Sequence, residues 1–187
     1  MSTPIHSRRG QTLVEALVAL SILTVGFLGI ITLLTKSFQL NRITSDDTQA
    51  TYLASEGIEL AKNIIDYDVY CGFAQSTSTV DWGVSFGLGP GQNGDYALEY
   101  NTVPPPCTSP GSLPQLISNK LYFNPDTYLY TYSNSPPAVA TDFTRDVKIS
   151  VPVGSPYELD VQSIVTWNTG SQSNSITLED HFYNWHP

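Results

Sequence analysis

From Ala16 to Thr35 the chain runs for twenty residues without a charged side chain. At about 1.5 Å of rise per residue, a helix of that length spans roughly 30 Å, the thickness of a bilayer's hydrocarbon core. Arg8 and Arg9 stand just before it. Basic residues mark the cytoplasmic flank, so the sequence predicts a single span with the N-terminus inside and everything after Lys36 outside. A secretory signal peptide would end in small residues at a cleavage site, whereas this run ends Leu34-Thr35-Lys36-Ser37-Phe38. A plain anchor explains length and orientation but leaves Glu15 without a task, since a carboxylate at the start of an apolar run is costly to desolvate.

The residues Arg8-Arg9-Gly10-Gln11-Thr12-Leu13-Val14-Glu15 resemble the prepilin leader motif. In that motif a basic stretch ends in glycine, cleavage follows it, and glutamate is the fifth residue of the mature chain. The context agrees, because a membrane-length apolar helix comes directly after. The resemblance implies that prepilin peptidase cuts between Gly10 and Gln11 and N-methylates Gln11, although most relatives have Phe there. It also implies a role in filament assembly for Glu15. Enclosed among bundled helices, that carboxylate would pair with the α-amine at Gln11 of its own or a neighbouring chain, an unpaired buried charge being expensive. The alternative is that Glu15 only complements the helix dipole, worth about 0.3–1 kcal/mol. Gly26 and Gly29 suit close helix contact. Thr32 stands where many major pilins have proline, which favours a minor pilin or pseudopilin.

The helix is predicted to continue past the membrane. No proline occurs from Lys36 to Asp66, and Leu40, Ile43, Ala50, Leu53, Gly57, Leu60, Ala61, Ile64 and Ile65 recur at steps of three and four. Straight from Gln11 to Asp66, the helix would be roughly 84 Å long. The stretch Ala50-Thr51-Tyr52-Leu53-Ala54-Ser55-Glu56-Gly57-Ile58-Glu59-Leu60 is similar to one found in minor pilins and small pseudopilins.

Beyond Tyr67 glycine and proline become frequent, and residues 70–114 read as a long irregular connection with one strand at Asp95 to Asn101. Further short strands are expected near Leu121 and Tyr128. The last third alternates clearly: Phe143, Val147, Ile149 and Val151 against Thr144, Asp146, Lys148 and Ser150, then Leu159, Val161, Val165 and Trp167 against Glu158, Asp160, Gln162 and Thr166. A turn over Asn168 to Ser173 leads to a strand at Ser175 to Leu178, with Tyr183-Asn184-Trp185 closing the ladder. The expected fold is therefore α+β and pilin-like, a long N-terminal helix packed on an antiparallel β-meander. Its expected parts are a leader (1–10), a transmembrane and filament-core helix (11–36), an amphipathic half of that helix (37–66) and a β-rich domain (67–187).

Cys71 and Cys107 both follow the apolar segment, where an oxidising compartment is expected, and a single disulfide is the simplest reading, with two free thiols as the alternative. It would close a loop of about 37 residues, for which chain entropy gives at most ~4 kcal/mol. The net charge of −9 falls to −11 without Arg8 and Arg9, so no nucleic-acid partner is expected. Catalytic motifs are missing. Gly87-Leu88-Gly89-Pro90-Gly91 lacks the lysine and helix of a phosphate loop. Asp180, His181 and His186 offer no metal-ligand spacing, and Asp95 with Glu99 is too sparse for calcium. No enzyme, cofactor or metal is expected. The expected partners are the membrane, prepilin peptidase and other pilins or pseudopilins, in an inner-membrane precursor that moves into a periplasmic or cell-surface filament. A tip-exposed adhesin or substrate-binding subunit is the alternative role.

Overall fold

The computed structural model describes residues 11–74, 82–108, 111–155, 157–170 and 172–184. Contacts divide the chain into two units, Met1–Asp46 and Asp47–Pro187. One α-helix, α1, runs over Gln11–Ala74. In the first unit its residues are exposed from Gln11 through Ser45. Leu40 and Ile43, expected on a buried face, are therefore exposed, because burial along α1 begins only at Ala50.

In the second unit α1 lies over an antiparallel sheet of six strands: β1 (Asn93–Tyr96), β2 (Lys120–Asn124), β3 (Leu129–Thr131), β4 (Val139–Ser150), β5 (Glu158–Thr169) and β6 (Gln172–Tyr183). The order is β3-β2-β4-β5-β6, with β1 also pairing with β4. The expected meander is present in β4-β5-β6, while β4 shares its other edge between β2 and β1. The β5–β6 turn is tighter than expected, since Thr169 already pairs with Gln172 across Gly170, whose φ of 67° suits a residue without Cβ. The β1 strand is shorter and earlier than Asp95 to Asn101. After Tyr96 the chain leaves the ladder and turns at Glu99–Thr102, where the Thr102 amide donates to the Glu99 carbonyl and the Glu99 amide to Thr102 Oγ1. Trp185 lies outside the described residues.

The helix also outlasts its expected end at Asp66 by eight residues. Its buried face continues through Ile64, Ile65, Asp68 and Cys71 at the same three- and four-residue steps. The polar members are satisfied in place. Asp68 accepts from the Ser85 amide at 3.0 Å and the Ser85 hydroxyl at 2.5 Å, and Cys71 is bonded to Cys107 with their Cα atoms 5.2 Å apart. Ser85 belongs to a 3-10 turn, Val84–Phe86, whose flanking Gly83 and Gly87 are both left-handed.

The core has two apolar clusters. Ala61, Ile64 and Ile65 of α1 meet Val147 and Ile149 of β4 and Leu159 and Val161 of β5. One helical step away, Ala50, Leu53 and Ala54 meet Phe143, Val165 and Trp167. Between the clusters each element places something other than an aliphatic: Gly57 on α1, Arg145 on β4 and Ser163 on β5. A Cβ on Gly57 would stand 2.3 Å from Ser163 Oγ and 3.1 Å from a Val147 methyl. Glycine is what lets the helix approach the sheet this closely.

Candidate functional site

The residues singled out for processing and assembly fall on the first turns of α1. Gln11 is the first described residue and is helical, and Glu15 sits one turn further on, exposed. Gly10, Arg8 and Arg9, and with them the scissile bond's leader side, lie outside the described residues. From Leu13 to Leu34 the apolar side chains remain exposed, Leu33 at 72% and Val25 at 71% among them. No residue within 4 Å would meet a Cβ on Gly26 or Gly29. This helix is long and apolar enough to cross a membrane.

Four hydroxyls interrupt the apolar surface, and each closes a hydrogen bond on its own helix. Ser21 Oγ donates to the Leu17 carbonyl at 2.8 Å, Thr24 Oγ1 to Ser21 at 2.9 Å, Thr32 Oγ1 to Leu28 at 2.8 Å and Thr35 Oγ1 to Ile31 at 2.9 Å. In hydrocarbon a polar group must find its partner within the protein, and these do so one turn back.

Residues 5–31 match the model of the prokaryotic N-terminal methylation motif. This is a type IV prepilin-like signature. The match supports a pilin-like substrate of prepilin peptidase and points to a structural subunit rather than an enzyme. The motif implies assembly with other pilins and, with the apolar helix, suggests membrane anchoring. No curated protein and no solved structure matches the chain.

The chain has further polar sites in its second unit. Arg145, which the alternation in β4 passes over, is wholly buried in the seam between the two apolar clusters. Its Nη1 donates to the Leu53 carbonyl at 3.1 Å and to Glu56 Oε2 at 3.0 Å, Nη2 to the Leu98 carbonyl at 2.7 Å and Nε to the Tyr132 hydroxyl at 3.1 Å. The Tyr132 hydroxyl in turn donates to the Arg145 carbonyl at 3.1 Å, and its ring lies 5.5 Å from the guanidinium carbon. Burial raises the Tyr132 phenol above its ordinary range, with Arg145 pulling the other way. Burial likewise pushes Tyr96 up to about 12, and its hydroxyl donates to the Phe86 carbonyl.

The acidic and histidine candidates are distributed differently from the linear sequence. Asp95 stands opposite Lys148 in the ladder, while Glu99 Oε2 accepts from Thr131 Oγ1 at 2.6 Å. The His181 imidazole faces Asp160 and Glu158 on the neighbouring strand, while its backbone amide donates to Asp180 Oδ1 at 2.9 Å, and His186 lies outside the described residues. The hydrogen bond to Asp160 lifts the His181 imidazole above its usual range, and the bond to Glu158 lifts the Tyr183 phenol. An open cleft of about 680 Å³ between Phe86–Leu88 and Ser112–Gln115 has no ionisable side chain among its described lining residues, so its Ser112 hydroxyl has no acid or base in that lining to activate it.

Proposed function

We propose that this chain is a minor pilin or pseudopilin, cut between Gly10 and Gln11, methylated at Gln11, held in the membrane by residues 11–36 and then packed through that helix into a pilus-like filament. The observation that carries the reading is the coincidence of the methylation motif with a helix that leaves its apolar residues from Leu13 to Leu34 uncovered. A surface of that kind is stable in lipid or among other helices and nowhere else. Thr32, in place of the proline of many major pilins, supports a minor subunit. Glu15 is assigned to pairing with the α-amine of Gln11 at a subunit contact.

Glu15→Ala tests this role. The variant should insert and be cut, since cleavage is set by the leader and Gly10, but its cross-links to co-expressed pilins should collapse. An unpaired amine in an apolar bundle costs roughly 3–5 kcal/mol, against at most about 1 kcal/mol for a dipole effect alone. Cross-linking at parental levels by Glu15→Ala would remove the assembly role from Glu15.

A further inference from the structure

On the solvent face of β5 and β6 three donor groups of two chemical kinds converge. Glu158 and Asp160 are two residues apart and so project from one face of β5. His181 is the cross-strand partner of Asp160, and Tyr183 that of Glu158. The His181 Nδ1 lies 2.6 Å from Asp160 Oδ1 and 3.2 Å from Glu158 Oε1. One ligand atom from each of the three residues falls within 4.8 Å of the others. Donors around a tetrahedral zinc ion stand about 3.3 Å apart, given bonds of about 2.0–2.1 Å. Small side-chain rotations therefore suffice to open the cluster around an ion.

A second, independent feature is the surroundings of the imidazole. A metal-ligating histidine characteristically turns its other ring N–H toward a carboxylate, which fixes the tautomer. Here Glu179 Oε1 lies 3.6 Å from His181 Nε2, on the side away from Asp160. The Tyr183 hydroxyl donates to Glu158 Oε1 at 2.8 Å and orients that carboxylate, which keeps further lone pairs for an ion.

We propose that Glu158, Asp160 and His181 form a binding site for one divalent transition-metal ion of the zinc class. An imidazole with two carboxylates suits that class, whereas calcium and magnesium take oxygen ligands. The ion replaces the proton between Nδ1 and Asp160, which leaves to solvent; the hydrogen on Nε2 stays toward Glu179. Three protein ligands leave the fourth position to water. The site lies wholly in the second unit and goes beyond the filament reading, standing whether or not the leader is cut.

Titration calorimetry of the detergent-solubilised full chain with ZnCl2 tests it. One ion per chain should bind. His181→Ala and Asp160→Asn should each weaken binding roughly tenfold or more, and Glu179→Gln by a smaller factor, with circular dichroism unchanged. A variant carrying both His6→Ala and His186→Ala removes the other two histidines of the chain and should bind as the parent does. A tenfold excess of CaCl2 should not displace zinc. Absence of saturable uptake, binding that survives both His181→Ala and Asp160→Asn, loss of binding in the His6/His186 variant, or displacement by calcium would each overturn the proposal.

Discussion

Arg145 Nη1 lies 3.0 Å from Glu56 Oε2, and the same nitrogen reaches the Leu53 carbonyl at 3.1 Å, so one guanidinium joins β4 to the middle of α1. The two partners are unequal, since the Arg145 side chain is fully buried while that of Glu56 is a third exposed. Arg145→Ala strands the Leu98 carbonyl, takes a second donor from the Leu53 carbonyl and leaves Glu56 unpaired, and should cost about 3–5 kcal/mol. Glu56→Gln keeps an acceptor at the water edge and should cost about 1 kcal/mol or less. Urea unfolding of the two purified variants measures the difference; equal losses would show that the charge pair, not the carbonyl contacts, holds the helix.

Gly57 of α1 packs directly against Ser163 of β5, where an added Cβ would stand 2.3 Å from Ser163 Oγ. Gly57→Ala should destabilise by about 1–3 kcal/mol through overpacking, despite alanine's better helix propensity. Among the described residues Ser163 Oγ is buried without a hydrogen-bond partner, so Ser163→Ala should be neutral or stabilising by about 1 kcal/mol. The double variant should lose less than the two changes added, because the oxygen that a Gly57 methyl would strike is gone. Strict additivity would show that the contact with Val147 dominates.

Burial raises the Asp68 carboxyl above its ordinary value of 3.8, against the opposing hydrogen bonds from Ser85. A carboxyl whose folded pKa exceeds the unfolded one favours the fold when protonated. Its contribution is complete below 3.8 and is lost as pH rises through the folded value. Asp68→Asn removes this titration, so its stability relative to the parent should improve steadily as pH climbs through that window. Parallel stability curves for the two proteins would contradict the assignment.

The Cys71–Cys107 bond ties the last turn of α1 to the loop before β2. Cys107→Ser should lower stability by up to about 4 kcal/mol and abolish the effect of reductant on the urea midpoint. Free thiols in non-reducing peptide maps of the parent would contradict the pairing.

Processing has its own readout. Mass spectrometry of the mature protein should find residues 1–10 missing and a methyl group on Gln11, and Gly10→Val should accumulate uncut in the membrane. An intact N-terminus in cells with active prepilin peptidase would remove the processing role from Gly10.

Long periodic stretches were legible in the sequence. The twenty uncharged residues, the buried face from Ala50 to Ile65 and the alternation in β4 and β5 each register one physical period over many positions. Arg145 escaped because alternation sorts residues by label, while an arginine at an inward position needs partners that lie far away in sequence, here the carbonyls of Leu53 and Leu98. The end of α1 was misplaced for a related reason: Asp68 and Cys71 look polar until Ser85 and Cys107 are brought to them. Linear spacing groups His181 with Asp180 and His186, but the neighbours of its imidazole are set by the β5–β6 register, which no linear spacing reports.

The back-bonded hydroxyls of Ser21, Thr24, Thr32 and Thr35 carry a consequence for traffic between environments. Each takes its acceptor along, three or four residues back on the same helix. When lipid tails around this segment give way to the side chains of adjacent helices, none of the four groups has to break one bond before making another. For these four hydroxyls such a transfer would be a change of apolar neighbours only, with no hydrogen bond to exchange in either direction.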